Sequence, residues 1–376
     1  MILLVIIVIA LIVLILYFYL HRQRARVTGY TPYLAGLLAL LENKEELAIK
    51  KLKETVGIDS NLVDAYVILG DLYRRRGDIS RAIQIHQSLT VRPTLKRHEE
   101  KKVYYALVQD VLQANRPNKA VSFLKEILKI DKKDKQARAL ILRIYEDMEN
   151  YGDCISFYEE GRFRPKEERR RAFYYASMAN IKLKNLTENN SDLEKEALNL
   201  FRKALKISAN SLTPLFYLGN HFVQKGDLKK AQEYYLKIIT QHPKHAFLII
   251  PKFEKVYFEL GAFDEIISIY EKIFQENPKN FSVGFALANL YEKKNDIESA
   301  KDVYRKLSDL YPKSSLPKLY GLKLMTEDKT IKRGIAEIEK TIRRKEFRCN
   351  NCGYEMQKFS FICPRCHAIE SFLPYL

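Results

Sequence analysis

Hydrophobic and polar positions divide the chain into three regimes. From Ile2 to Leu20 the side chains read ILLVIIVIALIVLILYFYL, nineteen in succession without a charge. As a helix rising about 1.5 Å per residue, that run crosses the roughly 30 Å hydrocarbon core of a bilayer. From residue 31 to 345 the pattern of apolar, small and polar positions returns as successive pairs of helices. The last stretch, FRCNNCGYEMQKFSFICPRCHAIESFLPYL, is too short to hold itself together by an apolar core and carries a dense set of cysteines instead.

Three units make the middle regime explicit. They are AYVILGDLYRRRGDISRAIQIHQSLTVRP (Ala65–Pro93), LFYLGNHFVQKGDLKKAQEYYLKIITQHP (Leu215–Pro243) and FALANLYEKKNDIESAKDVYRKLSDLYP (Phe285–Pro312). Each places a small residue midway along a first helix: Gly70, Gly219 and Ala288. Twelve positions later comes a second small residue, Ala82, Ala231 or Ala300, and four beyond it a ring, His86, Tyr235 or Tyr304. Antiparallel helices approach closely only where small side chains meet, and rings fill the space beside them. The pairs Gly77-Asp78 and Gly226-Asp227 are turn-and-cap signals, while Pro243 and Pro312 stop the second helix. The second small position runs Ala48, Ala82, Ala120, Cys154, Ala197, Ala231, Ile266, Ala300, with gaps of 34, 38, 34, 43, 34, 35 and 34. A spacing near 34 is that of tetratricopeptide repeats. Eight units follow, with a degenerate ninth pair near Leu316–Arg344, and the long gaps hold charged or asparagine-rich loops such as Asn185–Asp192. Cys154 takes a small-residue core position and reads as inert.

Such arrays form an all-α superhelical solenoid with a concave groove that binds protein segments. The residue after the first small position should face that groove: Asp71, Asn220 and Asn289, with Asn180 in the divergent fifth unit. A carboxamide there can hydrogen-bond an extended peptide's backbone; a local helix–helix hydrogen bond is the equal alternative.

The flanks orient the anchor. His21, Arg22, Arg24 and Arg26 follow the apolar run at once, and basic residues stay on the cytoplasmic side. Tyr17 and Tyr19 suit an interfacial belt. No basic residue precedes the run and no A-x-A site follows it, which argues against a cleaved signal. The expected layout is a transmembrane anchor over 1–20, a basic juxtamembrane segment over 21–30, an array of eight to nine repeats over 31–345 and a metal-binding domain over 346–376. The N-terminus lies outside and the bulk of the chain in the cytoplasm.

Composition sharpens this picture. Only 14 glycines and 12 prolines among 376 residues favour long helices. Lys and Arg number 64 against 46 Asp and Glu, a formal charge of +18. That excess suits anionic headgroups, nucleic acid or an acidic protein surface, or simply solubility. Four of the five cysteines fall in the last 28 residues, which points to metal binding in a reducing compartment. Cys349, Cys352, Cys363 and Cys366 form two C-x2-C pairs ten residues apart. Four thiolates give a closed tetrahedral site for one zinc or iron ion. With no open position the site is structural, and His367 reads as a surface or supporting residue, not a fifth ligand. Glycine-rich phosphate loops, paired-histidine metalloprotease motifs and G-x-S-x-G are all missing, so no enzyme is indicated.

Anchor, basic flank, repeats and knuckle, in that order, resemble the family of lipopolysaccharide assembly protein B of Gram-negative bacteria. The most specific stretches are LGDLYRRRGDISRAIQIHQSL (Leu69–Leu89) and RCNNCGYE…CPRCHAI. The resemblance implies a rubredoxin-like domain whose metal ligands are Cys349, Cys352, Cys363 and Cys366. It also implies a non-enzymatic inner-membrane adaptor that promotes proteolysis of the LpxC deacetylase by the membrane AAA+ protease FtsH and gathers other lipopolysaccharide-synthesis or transport proteins. A homo-oligomer stays open. Two rival functions remain: electron transfer by a rubredoxin-like iron site, and nucleic-acid binding by a zinc ribbon with a basic array. The anchor weighs against nucleic acid.

Overall fold

The computed structural model describes residues 11–17, 31–93, 95–161, 168–186, 191–342 and 347–374. Of the apolar run Ile2–Leu20, only residues 11–17 are described; they are helical and exposed. The rest of the expected anchor, and the basic segment 21–30, lie outside the described residues. Among the described residues no helix is long and apolar enough to cross a membrane.

From residue 31 to Ile342, eighteen described α-helices follow in order, α1 (31–41) through α18 (Lys329–Ile342). They match nine successive pairs in sequence. The eight second small positions fall on the second helices α2, α4, α6, α8, α10, α12, α14 and α16, which include α2 (Glu45–Ile58), α4 (Ile79–Thr90), α8 (Tyr151–Gly161) and α12 (Leu228–Gln241). All eight side chains, from Ala48 to Ala300, have no exposed surface. A single core position therefore recurs along the array. Cys154 occupies it, and burial pushes its thiol well above the ordinary range, which suits an inert packing residue.

Seven of the turns inside pairs share one geometry, that at Glu149 among them. Gly77, Gly226 and Gly261 have positive φ, and Asn43, Asn115 and Asn295 take the same left-handed conformation at their own turns. Glycine and asparagine are the residues that adopt it at least cost. The following aspartate caps the next helix: the carboxylates of Asp78, Asp227 and Asp296 accept from the N–H groups of Arg81, Lys230 and Ser299.

The chain divides into two compact units, Met1–Ile144 and Tyr145–Leu376. In the first, Ala39, Ala48, Leu52, Leu69, Leu72 and Ala82 belong to one core cluster joining α1 to α4. In the second, consecutive helices α8 to α18 pack on their neighbours. One departure from the expected repeat occurs here. Pro243 does end its unit, but a 3-10 turn (Pro243–Leu248) follows it and delays α13 (Ile250–Glu259). The C-terminal segment of this unit is a three-stranded antiparallel sheet ordered β2-β1-β3, from β1 (Phe347–Cys349), β2 (Glu355–Met356) and β3 (Phe372–Pro374).

Candidate metal centre and its seat on the repeats

Two knuckles of the same backbone design build the site. The N–H of Gly353 donates to the carbonyl of Cys349 at 2.9 Å, and the N–H of His367 to that of Cys363 at 2.8 Å. The amides of Cys349 and Cys363 in turn donate to the carbonyls of Tyr354 and Ala368. Gly353 and His367 occupy matching places, and both have positive φ, 72° and 56°. A left-handed conformation costs a side-chain-bearing residue about 1–2 kcal/mol. His367 thus stands where the backbone alone would favour glycine.

The knuckles bring all four sulfurs within 4.8 Å of one another. Cys349 and Cys366 are 3.7 Å apart between sulfurs, as are Cys352 and Cys363. A tetrahedron with metal–sulfur bonds of about 2.3 Å has edges of about 3.8 Å, so these residues fit one zinc or iron ion. Asn351 donates to the Cys366 sulfur at 3.3 Å, and the Ser371 hydroxyl lies 3.2 Å from that of Cys349. Burial pushes the Cys349 thiol up, but Ser371 and the amides of Cys352 and Asn351 outweigh it and bring it down to about 6. Desolvation also raises the half-buried Cys366, yet Asn351 and the Ala368 amide hold its thiol below the ordinary value. Burial pushes the Cys363 thiol up to about 12, and Cys352, lowered by the Tyr354 amide but raised by burial and by its neighbours Cys366 and Cys349, ends above its ordinary value, so each knuckle has one lowered and one raised thiol. Supplied with the ion, the donor set would be a closed site that ties β1 to the second knuckle.

The ribbon is seated on the repeats of its own unit. His367 is buried, and its Nδ1 lies 2.5 Å from Oε2 of Glu146. Arg170 bonds both groups, pairing with Glu146 and donating to the carbonyl of His367 at 2.6 Å. The Tyr174 hydroxyl donates to the same carboxylate. Desolvation would raise the Glu146 carboxyl, but His367, Arg170 and Tyr174 together hold it below its usual range. A second anchor is Glu370. Its carboxylate accepts from the backbone N–H of Thr213 at 2.8 Å and from the Thr213 hydroxyl at 2.7 Å. It thereby caps the first turn of α11 (Leu212–Gln224) from a distant part of the chain, at the end where a helix favours negative charge. The ring of His245 bonds the carbonyl of Glu370 at 3.1 Å. Aromatic contacts close the seam: Phe361 on Phe216 and Tyr217, and Phe247 on Phe347 and Phe359.

Sequence reasoning did not single out Glu146, Arg170 or Glu370. In a chain with 29% charged residues each looks like part of a solvated helix or loop. His367 is no surface residue. It is the side chain that joins the second knuckle to the repeats.

The four groove candidates are half-buried, one on each of four separate repeats. Three of them make local bonds. Oδ1 of Asn220 accepts from the Tyr235 hydroxyl at 2.9 Å and from Lys252 at 2.6 Å. Oδ1 of Asn289 accepts from the Tyr304 hydroxyl at 2.9 Å. Asp71 pairs with Arg74 at 2.6 Å and lies 4.0 Å from His86. Each thus touches the partner of the ring that the repeat pattern places four positions beyond the second small residue, or that ring itself. A carbonyl held this way leaves both N–H donors of the amide for other acceptors. Asn289 also lines a cavity of about 620 Å³ with Phe247, Phe281, Phe285, Tyr320 and Pro374. Asn180 lies on α9 (Glu168–Lys184).

Comparison with known proteins agrees with both halves. Residues 347–374 match the family described as Rubredoxin metal binding domain, and residues 65–99, 215–245 and 257–323 match Tetratricopeptide repeat families. Lipopolysaccharide assembly protein B of Escherichia coli strain K12 is 24% identical over 353 residues, covering 91% of this chain and 88% of that protein. The protein of the same name from Haemophilus influenzae is 24% identical over 368 residues, with 91% and 89% covered. The chain is thus similar to lipopolysaccharide assembly protein B over most of the length of both. Among solved structures, a tetratricopeptide repeat protein from Parabacteroides merdae is 13% identical, covers 79% of this chain and all but a hundredth of its own, and has a TM-score of 0.30. The repeat matches at 215–245 and 257–323 share the compact unit from Tyr145 onward with the cysteine ribbon, while the match at 65–99 lies in the first unit.

Proposed function

We propose that this chain is a non-enzymatic adaptor of lipopolysaccharide synthesis, held at a bacterial inner membrane by Ile2–Leu20 with its repeats in the cytoplasm. The observation that carries this reading is the shared order of repeats and ribbon with proteins named for lipopolysaccharide assembly. The ribbon's four sulfurs would enclose one ion, and the ribbon is seated on the repeats, which suits a scaffold. In the second unit the aromatic cavity beside Asn289 and the amides of Asn180, Asn220 and Asn289 offer a partner segment apolar contacts and hydrogen-bond donors, and Asp71 offers an acceptor in the first unit. The partners implied by the family resemblance are the protease FtsH and its substrate, the LpxC deacetylase. The adaptor would raise the effective concentration of one beside the other. The metal is zinc or iron, and the visible spectrum of the purified chain distinguishes them. A reversible red iron–thiolate chromophore would favour the electron-transfer alternative, for which the hydrogen bonds to the Cys349 and Cys366 sulfurs would tune the potential.

The test follows deacetylase lifetime in cells depleted of the chain, with crosslinked capture from intact membranes. Depletion should lengthen that lifetime, and the chain should capture both protease and deacetylase. An unchanged lifetime together with capture of neither overturns the proposal.

A further inference from the structure

The first repeat helix, α1, is apolar on two faces, and its neighbours cover one of them. Residues 31–41 read TPYLAGLLALL and carry no charge. Ala39 is buried in the first core cluster, and Gly36 lies so close to Leu52 that an added Cβ would sit 3.2 Å from its Cγ. The other face is bare. Leu34, Leu38 and Leu41 are 57, 58 and 81% exposed. Their spacing of four and three places them on one stripe of the helix. Single exposed leucines are ordinary, whereas an uncharged ridge of three on one helix is a surface that asks for a partner.

We propose that this ridge lies on the membrane, with Leu34, Leu38 and Leu41 among the acyl chains at headgroup depth. The inference rests on reading Ile2–Leu20 as an anchor. Two features of the chain point to lipid. First, only residues 21–30 separate the apolar run from α1, and ten residues reach about 35 Å at full extension. Second, those ten residues include His21, Arg22, Arg24 and Arg26, so the ridge is preceded by a basic segment suited to anionic headgroups. The rival occupant is a second copy of the chain. Three leucines present far less surface than the ~800 Å² per partner that a stable dimer buries. A helix face inserted about 5–10 Å into the interface needs only such a narrow ridge. The first repeat would then be fixed against the bilayer, and the remaining repeats would project from a defined starting direction.

The chain contains no tryptophan, so Leu38→Trp introduces a single indole reporter. The full-length variant is reconstituted into phosphatidylethanolamine–phosphatidylglycerol vesicles, with and without lipids brominated near the headgroup end of their chains. Blue-shifted emission, quenched several-fold by the brominated lipid, is the expected result. Leu34→Trp gives the same readout from the next turn, and far-ultraviolet circular dichroism verifies that each variant folds. Vesicle flotation without quenching, and with red-shifted emission, would leave the anchor standing and overturn the ridge. Blue-shifted but unquenched emission that depends on protein concentration would assign the ridge to a second copy instead. Failure to float would remove the anchor and the inference together.

Discussion

At the scale of single residues, the repeat works because specific side chains are missing. A Cβ on Gly219 would lie 2.4 Å from the ring of Tyr235, and one on Gly70 would meet His86 as closely. The glycine is therefore the floor of a ring pocket, and the ring's hydroxyl or nitrogens then bond the neighbouring helix. Tyr235 reaches Asn220, and His86 reaches Asp110 at 2.6 Å and the carbonyl of Val67 at 3.1 Å. Gly219→Ala should destabilise the second unit by about 1–3 kcal/mol, since overpacking outweighs the gain in helix propensity. Gly57 in α2 has nothing within 4 Å of an added Cβ, so Gly57→Ala should instead stabilise by up to about 1 kcal/mol. Thermal melts of the two variants compare them. A neutral or stabilising Gly219→Ala would show that the ring yields freely. These glycine–ring pairs were legible from spacing alone. Glu146, Arg170 and Glu370 were not, because their partners lie far along the chain.

At the scale of elements, the ribbon and the repeats of its unit are one construction held by two different means. A metal held by the four sulfurs would close the ribbon on itself, while Glu146, Glu370 and the Phe361 and Phe247 contacts seat it. Replacing Cys349 and Cys352 by serine should remove metal binding and unfold the ribbon, since comparable sites contribute on the order of 10 kcal/mol. The helices should persist because each packs mainly on its neighbours. Metal content and far-ultraviolet circular dichroism on one sample decide it: metal-free protein with an intact ribbon, or loss of most helicity, would contradict this division. The seam should also be acid-sensitive. Burial, aided by His242, lowers His245 to about 4 from 6.5, while its bond to the Glu370 carbonyl opposes this. Between those values the unfolded chain binds the extra proton, so acid favours unfolding. Stability from this group is complete above about pH 6.5 and falls by at most about 1.4 kcal/mol per unit as pH drops toward 4. Burial lowers His242 as well, which acts in the same direction. His245→Gln, which keeps a donor for the carbonyl, should flatten the dependence of the denaturation midpoint between pH 7 and 5. Identical profiles for variant and parent would remove His245 from the seam's acid response.

At the scale of the whole molecule, location and folding are separable. The repeats bury their own cores, so removal of residues 2–20 should leave a folded protein with an unchanged melting temperature. The function proposed here requires tethering, and the truncated chain at normal expression should fail to restore control of deacetylase lifetime. Full restoration would show that the apolar run is dispensable for regulation.

What the sequence determined by itself is whatever depends on short-range periodicity. Helical pairs, the recurring small position from Ala48 to Ala300, the capping aspartates and the four sulfur ligands all follow from spacings within some 34 residues or from two C-x2-C pairs. Tertiary structure alone decided where the ribbon rests. His367 meets Glu146 across 221 positions, and Glu370 meets Thr213 across 157. No local pattern encodes such pairings, because a buried carboxylate and a solvated one are spelled alike. The reason they form is that burying a charge without partners costs several kcal/mol, so each carboxylate in the seam must find its donors in whatever the fold brings against it.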